Sequence, residues 1–328
     1  MRAAVIDRYG APEVVRVAEV ARPRLRAGQV LIRVRAAAVT SADSRIRGAR
    51  FPAGFGVPAR LMFGVVRPRR PILGGSFSGL VEQLGPGVDD LALGDEVCGM
   101  TGVALGAHAE YVAVRANRLA RKPTEVSHEQ AAGLLFGGST ALFFLRDKAN
   151  VGPGTAVLVN GASGAIGTNA VQLARHFGAT VTAVSSSANH ELVTGLGAER
   201  VIDYADGGLA ATSERFDVVL DAVGNLSVEA GRRLLRTGGR LLLVVASLGE
   251  TIRARGNVVA GAAPERVADF EFLLRLVARD EITVVLDQSH DLDGIVEAHR
   301  RVDTGHKVGN VVVRPCGPQA ATTGSGAG

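Results

Sequence analysis

Three glycines open the chemistry of this chain. In Val157-Leu158-Val159-Asn160-Gly161-Ala162-Ser163-Gly164-Ala165-Ile166-Gly167 they recur at every third position, between an aliphatic run and an amphipathic one. Gly161 permits a tight exit from a strand. Gly164 leaves room for a diphosphate to approach the backbone, and Gly167 lets the following helix pack against its sheet. Free amides and the helix dipole then attract an anion, so Gly161, Ala162, Ser163, Gly164, Ala165 and Ile166 are expected to bind the diphosphate of a dinucleotide.

The next strand is expected to choose between the two nicotinamide dinucleotides. A ribose 2′-hydroxyl calls for an acidic partner roughly 20 residues beyond the first glycine, and a 2′-phosphate is repelled by one. Ser185, Ser186 and Ser187 end that strand, and no carboxylate follows until Glu191. Serine donors without negative charge favour NADPH. Val223, Gly224, Ala246 and Ser247 fall at the C-terminal ends of later strands, where open parallel sheets bind ligands.

The elements that must hold these residues read in two styles. Up to about residue 122 the chain has short aliphatic strands (Ala3–Asp7, Val14–Val20, Val30–Ala38, Phe77–Leu84, Glu96–Met100) punctuated by Gly and Pro. Ser127 and Gln130 form a capping-box signature that opens a helix. Strands and helices then alternate: strands at Ala156–Asn160, Thr180–Ser185, Arg200–Tyr204, Asp217–Val223 and Gly239–Ala246, with helices at Ala165–Phe177, Asn189–Gly195, Ser227–Leu235 and Pro264–Arg279. That alternation predicts a doubly wound parallel sheet. A strand from Val284, a helix at Asp293–Asp303 and a strand at Asn310–Arg314 close the chain. The expected division is 1–122 with 287–316 as one domain, 123–286 as the dinucleotide domain, and 317–328 as a disordered tail.

Composition narrows the function classes. The chain has 328 residues, 47% hydrophobic and 21% charged, which excludes global disorder. Aromatics are only 4%, with no Trp, and this weighs against base-stacking nucleic-acid binding despite a net charge of +5. Cys98 and Cys316 are the only cysteines, too few for a disulfide framework or a four-cysteine zinc site. The seven histidines have no metal-ligand spacing. No apolar run approaches the roughly 18 residues that span a bilayer and no signal-peptide pattern opens the sequence, so a cytoplasmic protein away from membranes is expected. Arg67-Pro68-Arg69-Arg70 reads as a solvated loop beside the cleft.

In addition to the glycine turn, several blocks in a fixed order carry a resemblance. They are Ala37-Ala38-Val39-Thr40-Ser41-Ala42-Asp43, Leu73-Gly74-Gly75-Ser76-Phe77-Ser78-Gly79, Gly94-Asp95-Glu96-Val97, Ala107-His108-Ala109-Glu110-Tyr111, Gly137-Gly138-Ser139-Thr140-Ala141-Leu142, Gly197-Ala198-Glu199, Asp221-Ala222-Val223-Gly224 and Gly305-His306-Lys307-Val308-Gly309-Asn310. Over residues 1–314 the chain resembles the medium-chain dehydrogenase/reductases, specifically the zinc-free quinone oxidoreductase branch related to zeta-crystallin. The resemblance implies a Rossmann domain inserted into a GroES-like β-barrel domain, NADPH as cofactor, a small quinone or enone as substrate, and a homodimer. It also implies that the Cys and His ligands of zinc-dependent relatives are replaced by Thr40 and Gly75, so no metal residue is expected.

Residue by residue, the resemblance places Thr140 at the start of a helix facing the nicotinamide. It gives Asp43 the role of orienting a hydroxyl or a water, against a rival salt bridge to Arg45 or Arg47. Thr40 and Ser78 become donors to the substrate oxygen, Tyr204 lies near the adenosine phosphate, and Asn310 and Lys307 reach the cofactor. Two departures stand out: Ala188 occupies the place of an Arg that faces the 2′-phosphate, and Phe51 that of a Tyr before Pro52. The expected function is reduction of a quinone or α,β-unsaturated carbonyl. Alternatives are an enoyl or tailoring reductase of secondary metabolism, and a nucleotide-binding regulatory or RNA-binding protein without turnover.

Overall fold

The computed structural model describes residues 1–205 and 208–317, so the expected tail lies almost wholly outside the described residues. Six strands form one parallel sheet in the order Arg200–Asp203, Thr180–Ser185, Ala156–Asn160, Phe216–Asp221, Leu235–Leu243 and Val258–Ala260. Chain order reverses between Ala156–Asn160 and Phe216–Asp221, which is the switch point of a doubly wound sheet. The central strands are aliphatic on both faces: Val157, Leu158, Val159, Val219 and Leu220 are fully buried, as a sheet covered by helices on both sides requires.

A second, seven-stranded sheet draws from both ends of the chain. Its path is Leu286–Asp291, Asn310–Arg314, Gln29–Val39, Ser76–Leu84, Glu96–Met100 and Leu119–Arg121, with Tyr111–Arg115 also pairing to Gln29–Val39. The strands Arg2–Ile6 and Val15–Glu19 make a separate antiparallel pair. The chain thus has a Rossmann-type parallel sheet and a GroES-like β domain.

The helix His128–Leu142 joins the two. Ser127 caps it reciprocally with Gln130, as the sequence predicts. Its small residues let it lie against both sides: a Cβ on Gly137 would come within 2.3 Å of the Ala165 carbonyl oxygen, and one on Gly133 within 3.2 Å of Asn310. Ser76 Oγ donates to the Ala132 carbonyl at 2.6 Å from the second sheet.

Some elements differ from the sequence reading. The helices Ser41–Gly48 and Gly56–Phe63 and the strands Tyr111–Arg115 and Val258–Ala260 were not expected. The strand expected at Gly239–Ala246 begins at Leu235 and ends at Leu243, because Leu235 pairs with Phe216 before a register shift. The strand expected from Val284 begins at Leu286, and the last helix is a short turn at Leu292–Gly294 followed by Ile295–Asp303.

Candidate active site at the open edge of the parallel sheet

A cleft of about 1200 Å³ opens at the C-terminal ends of the parallel strands, between the two sheets. Its floor is the glycine turn. Gly161 has φ +80, a conformation only glycine adopts without strain. A Cβ on Gly167 would lie 2.1 Å from the Gly161 carbonyl oxygen, so helix and turn pack without a gap. Gly164 differs: a Cβ there would meet nothing nearer than 3.6 Å, and it faces the cleft. Gly164 is the N-cap of Ala165–His176 and brings no side chain to cap it. The first-turn amides of Ala165, Ile166 and Gly167 therefore have no partner within the helix, and all three residues line the cleft. This is a cradle that fits a diphosphate.

The tail block closes one wall. Gly309, at φ +66, donates its N–H to the Ser163 carbonyl at 2.8 Å. A Cβ there would lie 2.3 Å from the Val285 carbonyl oxygen. Lys307 and Asn310 on either side line the cleft. Lys307 Nζ donates to the Gly309 carbonyl, and burial lowers its pKa to about 8, against the attraction of Asp287.

The strand ends supply the remaining wall. Asp221, wholly buried, accepts from Asn160 Nδ2 at 2.9 Å, from the amides of Val223 and Gly224 at 3.0 Å, and from that of Leu226 at 3.2 Å. It fixes the loop that presents Val223 and Asn225 to the cleft. Ser185, Ser186, Ala188, Asn189 and the exposed Tyr204 form the far end, with Asn189 Nδ2 donating to Ser186 Oγ at 3.1 Å.

The expected site residues divide. Gly161, Ser163, Gly164, Ala165, Ile166, Ser185, Ser186, Tyr204, Val223, Ala246, Lys307, Asn310, Thr40 and Thr140 line the cleft. Ala162, Ser187, Gly224 and Ser247 do not. The Ala162 amide is bound to the Val184 carbonyl and its side chain is buried. Gly224, at φ +87, packs against Val245, which a Cβ would meet at 2.8 Å. Ser247 is held in a capping box with Glu250, and Thr251 lines the cleft from that helix.

Thr140 is near the end of its helix, not the start, and its hydroxyl donates to the Phe136 carbonyl at 2.7 Å. Ser78 lies off the cleft. Fully buried, it donates to the Val97 carbonyl at 3.1 Å and sits 2.8 Å from His128 Nδ1, whose ring also faces Glu96. Burial pushes the His128 pKa down to about 4. Thr40 and Asp43 form a capping box on Ser41–Gly48. Asp43 Oδ2 accepts from Thr40 N and Oγ1 at 2.8 and 2.7 Å, and Oδ1 from the Gly74 amide at 2.9 Å. Asp43 makes no salt bridge to Arg45 or Arg47; Arg47 is buried against Asp303 at 2.5 Å.

A smaller pocket of about 190 Å³ adjoins the cleft, and Thr40, Met100, Phe136 and Glu265 line both. Gly75 lies in the smaller one. With Thr40 Oγ1 bound to Asp43 and no side chain at Gly75, these positions do not fit a zinc ion. Among the described residues no three His, Cys, Asp or Glu side chains converge on a metal position. Sequence reasoning missed Asn160, Asp221, Asn225, Thr251, Glu265 and Arg45 as site residues. Arg45 lines the cleft, has no ion pair among the described residues, and burial lowers its pKa.

Comparison with known proteins agrees with this architecture. Residues 26–124 match the alcohol dehydrogenase GroES-like domain and residues 196–313 the zinc-binding dehydrogenase family. The structure resembles that of the quinone oxidoreductase from Coxiella burnetii, with TM-score 0.86 and 30% identity, over 96% of this chain and 99% of that one. This chain belongs to the medium-chain dehydrogenase/reductase superfamily. Within it, 2-methylene-furan-3-one reductase of Solanum lycopersicum is 30% identical, with 94% of this chain and 77% of that protein covered. The chloroplastic NADPH-dependent alkenal/one oxidoreductase of Arabidopsis thaliana is 29% identical, with 96% and 80% covered. The chain also matches a stretch of polyketide synthase GfsB of Streptomyces halstedii, 33% identical over 264 residues, but it spans only 5% of that protein. As a medium-chain dehydrogenase/reductase of this kind, the chain is an oxidoreductase that uses a nicotinamide cofactor on a small molecule. No helix among its described residues is long and apolar enough to cross a membrane.

Proposed function

We propose that this chain is an NADPH-dependent, zinc-independent reductase that transfers hydride to a quinone or an α,β-unsaturated carbonyl. One observation carries the reading: a cleft runs from an uncapped helix N-terminus to an adjoining pocket lined by Thr40 and Gly75, where the family resemblance places the zinc ligands of its metal-dependent members.

The Ala165, Ile166 and Gly167 amides would hold the diphosphate, with Lys307 as a nearby cation. Ser185, Ser186, Asn189 and Tyr204 would hold the adenosine end, offering donors without a carboxylate; the name of the Arabidopsis relative supports NADPH. Thr140 Oγ1 donates to Phe136 and keeps its lone pairs for a carboxamide N–H. When bound, the reduced nicotinamide supplies hydride.

The chain's own work is to position and dry the acceptor. Phe63, Met100, Leu105 and Phe136 line the smaller pocket, which suits a flat, uncharged acceptor. Thr40 donates its hydroxyl hydrogen bond to Asp43, so the pair orients the Ser41–Gly48 helix and, through the Gly74 amide, the pocket wall. We further propose a homodimer through the free edge at Val258–Ala260, where the parallel sheet ends. A second reading, enoyl reduction in secondary metabolism, is favoured by the polyketide synthase match.

The test is binding and oxidation of NADPH and NADH with para-benzoquinone and carvone as acceptors. Turnover that favours NADPH by about tenfold or more, a difference of about 1.4 kcal/mol, is expected. Absence of binding to either cofactor, or binding without any turnover, overturns the reading.

A further inference from the structure

We propose that Glu265 is the proton donor of this reduction, giving its carboxyl proton to the α-carbon of an enone whose β-carbon has received hydride. The inference rests on the enone-reductase reading above and names a group that reading leaves open.

Position comes first. Glu265 lines both the cofactor cleft and the smaller pocket, together with Thr40, Met100 and Phe136. It therefore stands where an acceptor in the pocket would face a nicotinamide in the cleft. Among the described residues, the other acid lining the smaller pocket is Asp43. Both Asp43 oxygens are occupied by Thr40 and the Gly74 amide, which leaves it no reach toward a ligand.

Glu265 is the opposite case. Its Oε2 is buried and has no hydrogen-bond partner, although the side chain keeps 23% exposure. Arg118 Nη2, on the turn Ala116–Arg118, is 3.6 Å from it, too long for a hydrogen bond. The neighbouring Arg266 faces Asp147 and Asp269 instead. The oxygen's burial without a hydrogen bond favours the protonated form, against the ion pair with Arg118. Burial raises the Glu265 pKa, while Arg118 and the Gly102 amide pull the other way. A carboxyl group whose proton is held more tightly than usual can deliver it to carbon.

Hydride adds to the β-carbon, and the electrons of the C=C bond move to the α-carbon and carbonyl oxygen as an enolate. The Glu265 O–H bond breaks as the α-carbon–H bond forms, and the carboxylate regains a proton from water. A reduced quinone takes its protons on oxygen, directly from solvent, and does not need this donor.

The experiment compares the full chain with Glu265→Gln, using NADPH with carvone or para-benzoquinone, in light and heavy water. The parent is expected to place deuterium on the α-carbon of dihydrocarvone as one diastereomer, with kcat falling as pH rises. Glu265→Gln is expected to lose about 100-fold in kcat for carvone, to give mixed diastereomers, and to lose the pH dependence. The thermal midpoint should stay unmoved, and benzoquinone turnover should fall far less than carvone turnover, so that the carvone-to-benzoquinone kcat ratio drops by at least about tenfold. Unchanged carvone kinetics with one diastereomer in Glu265→Gln overturns the assignment, as does equal loss with both acceptors. A parent that reduces the quinone but not carvone removes the carbon-protonation step and overturns it too. A parent inert to both acceptors overturns the reductase reading itself.

Discussion

Replacing Gly164 by Ala separates the ligand's place from the fold. At φ −78 and ψ 175 the position accepts any residue, and the added methyl would approach only the Gly161 carbonyl oxygen, at 3.6 Å. Loss of unfolded-state freedom stabilises by about 0.4–1 kcal/mol. A poorer N-cap costs about 0.5–1 kcal/mol. The two nearly cancel, so the ligand-free thermal midpoint should move by no more than about 4 °C. The methyl would nevertheless stand where the diphosphate meets the first-turn amides. Losing one hydrogen bond to a charged group costs about 1.5–3 kcal/mol, which weakens the NADPH Kd by roughly 10- to 150-fold. Fluorescence titration with NADPH, beside a melt of the free protein, measures both. An unchanged Kd, or a collapse in stability, would refute the reasoning. Gly167→Ala should do the reverse, damaging the free fold, because its methyl would lie 2.1 Å from the Gly161 carbonyl oxygen.

Further outcomes follow from named groups. Lys307 is charged only below its lowered pKa of about 8, so NADPH affinity should fall as pH rises through that value, and Lys307→Met should flatten the profile in a pH series of titrations. Asp221→Asn replaces one oxygen by an N–H₂ facing amide donors; unfolding in urea should show a loss of about 1–3 kcal/mol, with weaker NADPH binding as Val223 and Asn225 loosen. His299 is fully buried with both ring nitrogens unpartnered, and burial holds its pKa well below the usual value. Unfolding lets it take a proton, so it erodes stability as pH falls below about 6.5; His299→Phe should lessen that acid sensitivity in urea melts at successive pH values.

Much of the site was legible because it is local. The glycine turn, its strand and its helix sit within one continuous stretch, and Ala156–Asn160 and Ala165–His176 fall where the periodicity places them. Asn310–Arg314 likewise reads directly as a strand. The helix Ser41–Gly48 was missed for an instructive reason. Thr40 and Asp43 have capping-box spacing, a helix start that the family resemblance overlays with catalytic roles for the same two residues. Ser78 was misplaced because nothing local says that its hydroxyl meets Val97 and His128, far along the chain. Glu265 escaped because its environment is made by Gly102 and Arg118, more than a hundred residues earlier. Tyr204 lies exposed in the cleft wall, and its expected place near an adenosine phosphate belongs to the proposed function.

Hydride transfer without a metal is measured directly as NADPH oxidation, with product analysis, on protein stripped by chelation and verified metal-free. Stripped and unstripped protein are expected to consume NADPH at the same rate, one equivalent for each molecule of quinone or enone reduced. Turnover that vanishes on stripping and returns with stoichiometric zinc would contradict it.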